Sequence, residues 1–189
     1  QDLRKFLGGS GLGTYLLLRE NAAEIDPLAA EAVLAFVFSP LVGSPLTTSA
    51  KFAVLAKSPL TERINDSLSS SHFAISGKRT GHDAIVIVGA SDRPTTLVVT
   101  PDGVQFESAE SEWGLSSRET GVRVKTRLGV GGGGGFQVAA IGPAGERLVN
   151  YATISHDARH AGRGGLGAVM GSKRLKAIYE GLSPDEQEQ

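Results

Sequence analysis

The residues best suited to chemistry in this chain form a glycine-rich, cationic segment near its C-terminal end. Residues Ala161–Ile178 read AGRGGLGAVMGSKRLKAI, and Arg159 stands just before them. Glycines allow a backbone to approach a ligand closely and to aim its N–H groups at it. We predict a helix over Gly167–Ile178, whose N-terminus opens beside the glycines and arginines. Free N–H donors, guanidinium groups and the later cations Lys173, Arg174 and Lys176 together favour a phosphorylated ligand.

Two general motifs compete for the same glycines. Residues 162–167 match G-x-G-x-x-G, the pattern of a dinucleotide-binding turn, but residues 156–161 read HDARHA where a buried strand is required. The acidic residue that this motif places about twenty positions later is Asp185 or Glu186, in a polar tail. The phosphate-loop pattern G-x-x-x-x-G-K-[ST] does not occur in the chain. A nucleotide-dependent oxidoreductase and a turn that only allows close packing both stay open as interpretations of the glycines.

Several blocks of the sequence resemble the N-terminal domain of the aldehyde:ferredoxin oxidoreductase family, whose members carry a tungsten or molybdenum bis-pyranopterin cofactor. The most specific match is the closing run of residues 161–178, with IGPAGERLVNYATI just before it. The earlier blocks stand in the order typical of the family: LGGSGLGTYLL, IDPL, SPLVG, KSPLT, GHDAIV and SEWG. The resemblance covers nearly the whole chain.

The resemblance also implies which residues contact the cofactor. It places Arg159 near the pterin phosphates, and a guanidinium suits that task because it is permanently charged and grips phosphate with two parallel bonds. The neighbouring contacts that it implies are His160, Ala161, Gly162, Arg163, Gly164 and Gly165.

The chain departs from the family at two of the implied contacts. The family usually has N-S-G-G where this chain has Leu68-Ser69-Ser70-Ser71, so the hydroxyls of Ser69 and Ser70 stand in for amide and glycine contacts. The family's arginine between cofactor and cluster corresponds to Lys51. Lysine keeps the positive charge but lacks the planar guanidinium group, which can bind an anion with two parallel hydrogen bonds. These changes put the specific contacts and the redox tuning in question, and they mark a divergent subgroup or a paralogue that has lost the cofactor.

As a function, the resemblance implies oxidation of aldehydes to carboxylic acids, with electrons passed to an iron–sulfur cluster and a ferredoxin-like acceptor. In the family, Mg²⁺ bridges the pterin phosphates, and a [4Fe-4S] cluster is ligated in later, cysteine-containing domains. Those domains are the implied partners, in the same chain or in a partner subunit. The resemblance also implies a homodimer. The alternative is a stand-alone pterin-binding or structural paralogue without catalysis.

Composition limits the functional classes. The 189 residues include 19 basic and 20 acidic ones, so charge predicts no affinity for nucleic acid or an anionic membrane. Cysteine is absent, which excludes disulfides and cysteine-ligated clusters within these residues. Without a long apolar run or a secretory signal pattern, we expect a cytoplasmic protein.

Patterning predicts an α+β fold dominated by strands, with a few short helices, and the family resemblance implies two β-sheets in a saddle-like or sandwich-like arrangement. We expect one cofactor-binding domain over residues 1–181, whose leading strands are missing, and a polar tail over residues 182–189. Residues 1–6 have the spacing of a helix already under way, and a helix is predicted over residues 12–19. A capping box at residues 116–119 predicts another helix to about residue 128.

Strands are predicted at short apolar runs and around turn residues. The runs that predict buried strands are 33–38, 52–56 and 84–88. Residues 95–100 and 104–107 flank Pro101-Asp-Gly103 and predict a hairpin. Further strands are expected at 137–141 and 148–154, after a flexible connector at Gly131–Gly135.

Histidines offer a weaker candidate site. His156 and His160 have the i, i+4 spacing that binds zinc on a helix, but the glutamate of H-E-x-x-H is missing. We therefore expect no zinc site here, and we expect His72 and His82 to be structural or exposed.

Overall fold

Two β-sheets and six short helices make up the fold, in a computed structural model that describes residues 2–20, 22–127 and 136–182. The helices are α1 (Asp2–Phe6), α2 (Gly9–Arg19), α3 (His72–Arg79), α4 (Ser117–Arg127), α5 (Pro143–Glu146) and α6 (Leu166–Ser172). The strands are β1 (Leu34–Phe38), β2 (Lys51–Lys57), β3 (Ile64–Ser70), β4 (Ala84–Ile87), β5 (Thr95–Thr100), β6 (Gly103–Ser108), β7 (Gln137–Ala140), β8 (Ile154–His156), β9 (Arg159–Ala161) and β10 (Leu175–Glu180). The strand-dominated, two-sheet α+β prediction is confirmed.

The first sheet has the strand order β3-β2-β1-β4 and the second the order β6-β5-β10-β7-β8-β9. Every pairing is antiparallel except that of β10 with β5. This topology differs from the parallel sheet that a dinucleotide-binding turn at residues 162–167 requires, because those residues follow a three-residue edge strand.

The main core lies between the two sheets and includes residues of α3 and α6. Phe36, Phe52 and Phe73 from one side meet Ile154 and Ile178 from the other, and all are at most 1 % exposed. The outer face of the first sheet is covered by α2, and the outer face of the second by α4. Each sheet is therefore covered on both faces at its centre, which explains why β1 is buried along its whole length.

Local signals located several elements correctly. The Pro101-Asp-Gly103 hairpin forms, with Thr100 paired to Gly103. The capping box forms as well: the Ser116 hydroxyl accepts from Glu119 N at 3.2 Å, and a Glu119 carboxylate oxygen accepts from Ser116 N at 3.0 Å. The two hydrogen bonds satisfy N–H groups that the first turn of α4 leaves free.

The predicted helix over residues 167–178 is wrong in its second half. Helix α6 ends at Ser172, Arg174 adopts a left-handed φ of +53°, and residues 175–180 form a strand in the interior of the second sheet. All six residues of this strand, LKAIYE, are buried, including Lys176 and Glu180. A strand buried on both faces lacks the alternation of a half-buried strand, so periodicity alone does not distinguish it from a buried helix.

The strand predicted at residues 148–154 is also wrong, apart from Ile154. Pro143 begins the short helix α5, and hydrogen-bonded turns follow it, with Val149 N donating to Ala144 O at 2.9 Å and Ala152 N to Val149 O at 2.8 Å. Leu148 has a φ of +57°, which a strand does not tolerate. The connector predicted at residues 131–135 and the tail beyond residue 182 lie outside the described residues.

Candidate functional site

Strand β3 of the first sheet meets strand β9 and the loop after it, and this contact brings together two segments about ninety positions apart in the chain. Arg163 N donates to the Ser67 hydroxyl at 3.1 Å, and the Ser69 hydroxyl donates to His160 O at 3.4 Å. Asn65 Nδ2 completes the contact with Arg163 O at 3.4 Å. We call residues 65–71 together with residues 157–165 the β3–β9 junction. The implied cofactor contacts lie in this junction, except Lys51, which pairs with Ser70 in the adjacent strand.

A buried histidine, His156, stabilises the junction through contacts with two serines. His156 is 2 % exposed, and its Nε2 and Nδ1 atoms lie 2.7 and 2.8 Å from the hydroxyls of Ser69 and Ser71. Its ring packs edge-on against Phe52, with 4.8 Å between the centroids. The Ser69 hydroxyl is thus engaged within the protein, and His156 holds β3 against β8. Sequence reasoning missed this role, because nothing in a lone histidine signals two serines far away in the chain.

The burial of His156 predicts a loss of stability in acid. Burial lowers the pKa of His156 from 6.5 to about 4, although the nearby Asp157 carboxylate opposes the shift. The folded state therefore binds fewer protons than the unfolded state, so this contribution is complete above pH 6.5 and is lost as pH falls towards 4. We expect the stability advantage of the wild type over His156→Gln to shrink by about 3 kcal/mol across this range.

Urea unfolding of both proteins at several pH values measures that difference. The comparison with the variant cancels the contributions of the carboxylates that both proteins share. An advantage that stays constant across the range would contradict the assignment.

The turn between β8 and β9 positions Arg159. Its two central residues, Asp157 and Ala158, have φ values of +45° and +56°, as a tight hairpin turn requires. The Asp157 carboxylate accepts a hydrogen bond from Phe73 N at 3.2 Å, in the first turn of α3. The hydrogen bond ties the turn to the start of α3, and the Arg159 side chain lies exposed beside it.

Residues 159–161 do not present their side chains to one ligand-facing surface. Because side chains alternate along a strand, His160 points away from Arg159 and Ala161. Ala161 is fully buried in the main core, and His160 Nδ1 lies 2.9 Å from the Ser155 hydroxyl. Only the backbone of these two residues shares the surface of Arg159. The i, i+4 pair His156 and His160 therefore stands on opposite faces of a hairpin and not on a helix.

The glycines of the motif serve different purposes. A Cβ atom on Gly164 would lie 2.3 Å from Asn65 Cγ, and one on Gly165 would lie 1.8 Å from Asn150 O. These two glycines are required by close packing within the protein. Gly162 is exposed, and its nearest neighbour is 3.8 Å from a Cβ, so this glycine alone of the three leaves room for a ligand.

The anion site predicted at the N-terminus of the closing helix is not present. Gly167 N donates to Ala152 O at 3.0 Å, and Ala168 N donates to Gly165 O at 2.9 Å. The helix has seven residues, and all but the last are buried. Its N–H groups therefore hold the fold together.

Two of the later cations are also structural. Lys173 Nζ donates to Ala30 O and Gly89 O at 2.9 and 3.0 Å, and burial lowers its pKa to about 8. Lys176 is fully buried and forms an ion pair with Glu146. Neither ammonium group reaches the junction surface.

The junction instead exposes two other cations, Arg159 and Arg163, and Lys51 is exposed on the adjacent strand β2. The charged groups of all three have no carboxylate partner within the described part of the chain. Leu68, which is 62 % exposed, lies with Ser70 on the face of β3 opposite Ser67 and Ser69, which contact the β9 loop. The unpaired arginines and the open glycine of the junction fit a large ligand that carries phosphate groups. The pterin cofactor implied by the sequence resemblance is such a ligand.

Comparison with known proteins identifies the chain's relatives. Residues 1–180 match the family model described as "Aldehyde ferredoxin oxidoreductase, N-terminal domain". The chain is 40 % identical over 176 residues to the tungsten-containing aldehyde ferredoxin oxidoreductase of Pyrococcus furiosus, and 42 % identical over 176 residues to that of Thermococcus kodakarensis. Each alignment covers 93 % of this chain and 29 % of the relative, so the chain spans less than a third of their length.

A solved structure shares the fold. The active-site complex BamBC of benzoyl coenzyme A reductase, determined in complex with 1,5-dienoyl-CoA, superimposes with a TM-score of 0.90 at 34 % identity. The superposition covers 96 % of this chain and 28 % of that one. With its two-sheet fold and its cationic junction, this chain belongs to the aldehyde ferredoxin oxidoreductase family, as an N-terminal domain.

Proposed function

We propose that this chain is the cofactor-binding domain of a tungsten- or molybdenum-dependent oxidoreductase that oxidises aldehydes to carboxylic acids. The observation that carries the proposal is that Arg159 and Arg163, at the β3–β9 junction of a domain of this family, are exposed and have no carboxylate partner among the described residues. The names of the curated relatives, which describe tungsten-containing aldehyde ferredoxin oxidoreductases, support the cofactor and the substrate class.

The bound bis-pyranopterin supplies the metal that carries the oxygen and electron chemistry. In this chain, Arg159 and Arg163 hold phosphate groups through charge-assisted hydrogen bonds. Gly162 and the backbone of His160, Ala161, Gly164 and Gly165 line the approach. Lys51 places a positive charge near the cofactor, and Ser69 and Ser70 supply hydroxyl contacts, the first of them shared with His156.

The remaining partners belong to the same proposal. A magnesium ion would neutralise the cofactor phosphates, and cysteines outside these 189 residues would hold a [4Fe-4S] cluster that passes electrons to a ferredoxin-like acceptor. Cysteine-containing domains follow in the same chain or in a partner subunit, and the assembly includes a homodimer. We place the enzyme in the cytoplasm. Among the described helices, none has the length and apolar character needed to span a bilayer.

Removal of one junction cation tests the proposal. In the full-length protein, purified from cells grown with tungstate and molybdate, Arg159→Ala is expected to lower the metal and pterin content about tenfold or more, since two charge-assisted bonds are lost. Elemental analysis measures the metal, and the fluorescence of oxidised pterin measures the cofactor. Aldehyde oxidation with a dye acceptor is expected to fall in parallel.

The matched control is Arg147→Ala, which removes an exposed arginine outside the junction. It is expected to keep the cofactor content of the wild type. Wild-type protein without tungsten, molybdenum or pterin would overturn the proposal, and so would equal cofactor content in the two variants.

A further inference from the structure

A second cleft lies on the outer face of the second sheet, between helix α4 and the β8–β9 hairpin. Its volume is about 650 Å³, within the range of roughly 300–1,000 Å³ that is typical of small-molecule sites. One wall is a stripe of α4 at positions i, i+3, i+4 and i+7, namely Arg118, Gly121, Val122 and Lys125. The opposite wall includes Ser155 and His160. We call this the α4 cleft.

The α4 cleft opens on the face of the β8–β9 hairpin opposite Arg159, although Asp157, Ala158 and His160 belong both to its lining and to the junction segment. His160 and Ser155 point to the face of the sheet that carries α4, whereas Arg159 and Ala161 point to the other face. A ligand in the α4 cleft therefore contacts side chains that the proposed cofactor site does not use.

The charge in the α4 cleft is positive. Arg118 is exposed, and its guanidinium has no hydrogen-bond or ion-pair partner among residues 2–20, 22–127 and 136–182. Lys125 Nζ lies 2.8 Å from Gln137 Oε1, which holds the ammonium at the cleft without neutralising it. Asp157 also lines the cleft, but its carboxylate accepts from Phe73 N at 3.2 Å on the other face. Two cations and an imidazole thus surround the space.

A glycine within α4 gives independent support. Glycine weakens a helix interior relative to alanine, and Gly121 has no left-handed φ. Apart from its own helix backbone and chain neighbours, no atom of the described residues lies within 4 Å of the position of a Cβ. Neither backbone conformation nor packing within the described protein explains it. The missing side chain leaves the α4 backbone exposed beside Val122, which is itself 62 % exposed. The cleft is therefore deeper between Arg118 and Lys125.

We propose that the α4 cleft binds an organic phosphate of nucleotide size. Its phosphate oxygens lie between Arg118 and Lys125, and the imidazole of His160 donates from across the cleft. Its apolar or planar part packs on Val122 and on the bare backbone at Gly121. This binding goes beyond the proposed oxidoreductase function and does not depend on the pterin cofactor.

Calorimetric titration of the full-length protein with ADP, at low ionic strength, tests the inference. We expect ADP to bind, adenosine to bind far more weakly, and Arg118→Gln to raise the dissociation constant about tenfold or more. Gly121→Leu, which fills the space, is expected to abolish binding. Arg147→Gln, the matched control outside the cleft, and Arg159→Ala, in the junction, are both expected to bind ADP as the wild type does.

Circular dichroism verifies that each variant is folded. If Gly121→Leu fails to fold, Gly121→Ala takes its place, because it adds one methyl group to open space and is expected to weaken binding several-fold. No ADP binding by the wild type overturns the inference, as does equal binding of ADP and adenosine. Unchanged affinity in Arg118→Gln and the Gly121 variant also overturns it. Loss of cofactor in Arg159→Ala with intact ADP binding separates the two proposals.

Discussion

Alanine in place of Gly165 is expected to prevent folding of this domain. Gly165 has a φ of +68°, and a Cβ there would lie 1.8 Å from Asn150 O and 2.6 Å from Asn150 C. Both atoms are backbone, so no side-chain rotation relieves the clash. The left-handed conformation alone costs an L-residue about 1–2 kcal/mol. With the clash added, we expect a loss above about 4 kcal/mol, a large part of a domain's total stability of roughly 5–15 kcal/mol.

Gly162→Ala is the matched control for Gly165→Ala, three positions away in the same loop. Gly162 has no left-handed φ, and the nearest atoms to its Cβ position, Thr153 Cγ2 and His160 Cβ, lie at 3.8 and 3.9 Å. We expect its stability to change by less than about 0.5 kcal/mol. Soluble yield and thermal unfolding followed by circular dichroism compare the two. Equal melting temperatures would show that residues 162–165 are placed differently in solution.

Replacement of Glu180 by methionine is expected to stabilise the domain at neutral pH. Glu180 is fully buried at the end of β10, next to Phe38 and Gly77, and neither carboxylate oxygen has a hydrogen-bond partner within the described residues. A buried polar group without a hydrogen bond costs about 1–3 kcal/mol in proteins. Methionine removes that cost and fills a similar, irregular space. We therefore expect a gain of about 1–3 kcal/mol.

The pH dependence distinguishes the carboxyl effect from simple repacking. Burial raises the pKa of Glu180 well above 4.5, so the folded state keeps a proton that the unfolded state releases. The contribution of Glu180 is thus most favourable below pH 4.5 and is lost as pH rises. The advantage of Glu180→Met over the wild type should grow with pH, as urea unfolding in a series of buffers measures. A constant advantage indicates a paired or solvated carboxyl in solution and refutes this account.

The sequence by itself determined the features that depend on neighbouring residues. The Pro101-Asp-Gly103 hairpin and the capping box at Ser116 need only contacts within a few positions, and both were located correctly. The strand-dominated two-sheet class and the family followed from the order of motifs along nearly the whole chain. These signals survive in any packing, because local hydrogen bonds and turn conformations do not depend on distant partners.

Only the tertiary structure decided which partners the other residues have. Residues 175–180 form a strand because β5 and β7 flank them in the sheet. A strand buried on both faces shows no alternation of polar and apolar residues, so the sequence did not indicate it. Gly164 and Gly165 proved to be packing glycines because Asn65 and Asn150 occupy the space of their missing side chains. His156 acquired two serine partners from β3 and the start of α3. In each case the determining atoms lie many positions away in the chain, so their approach is a property of the packed fold.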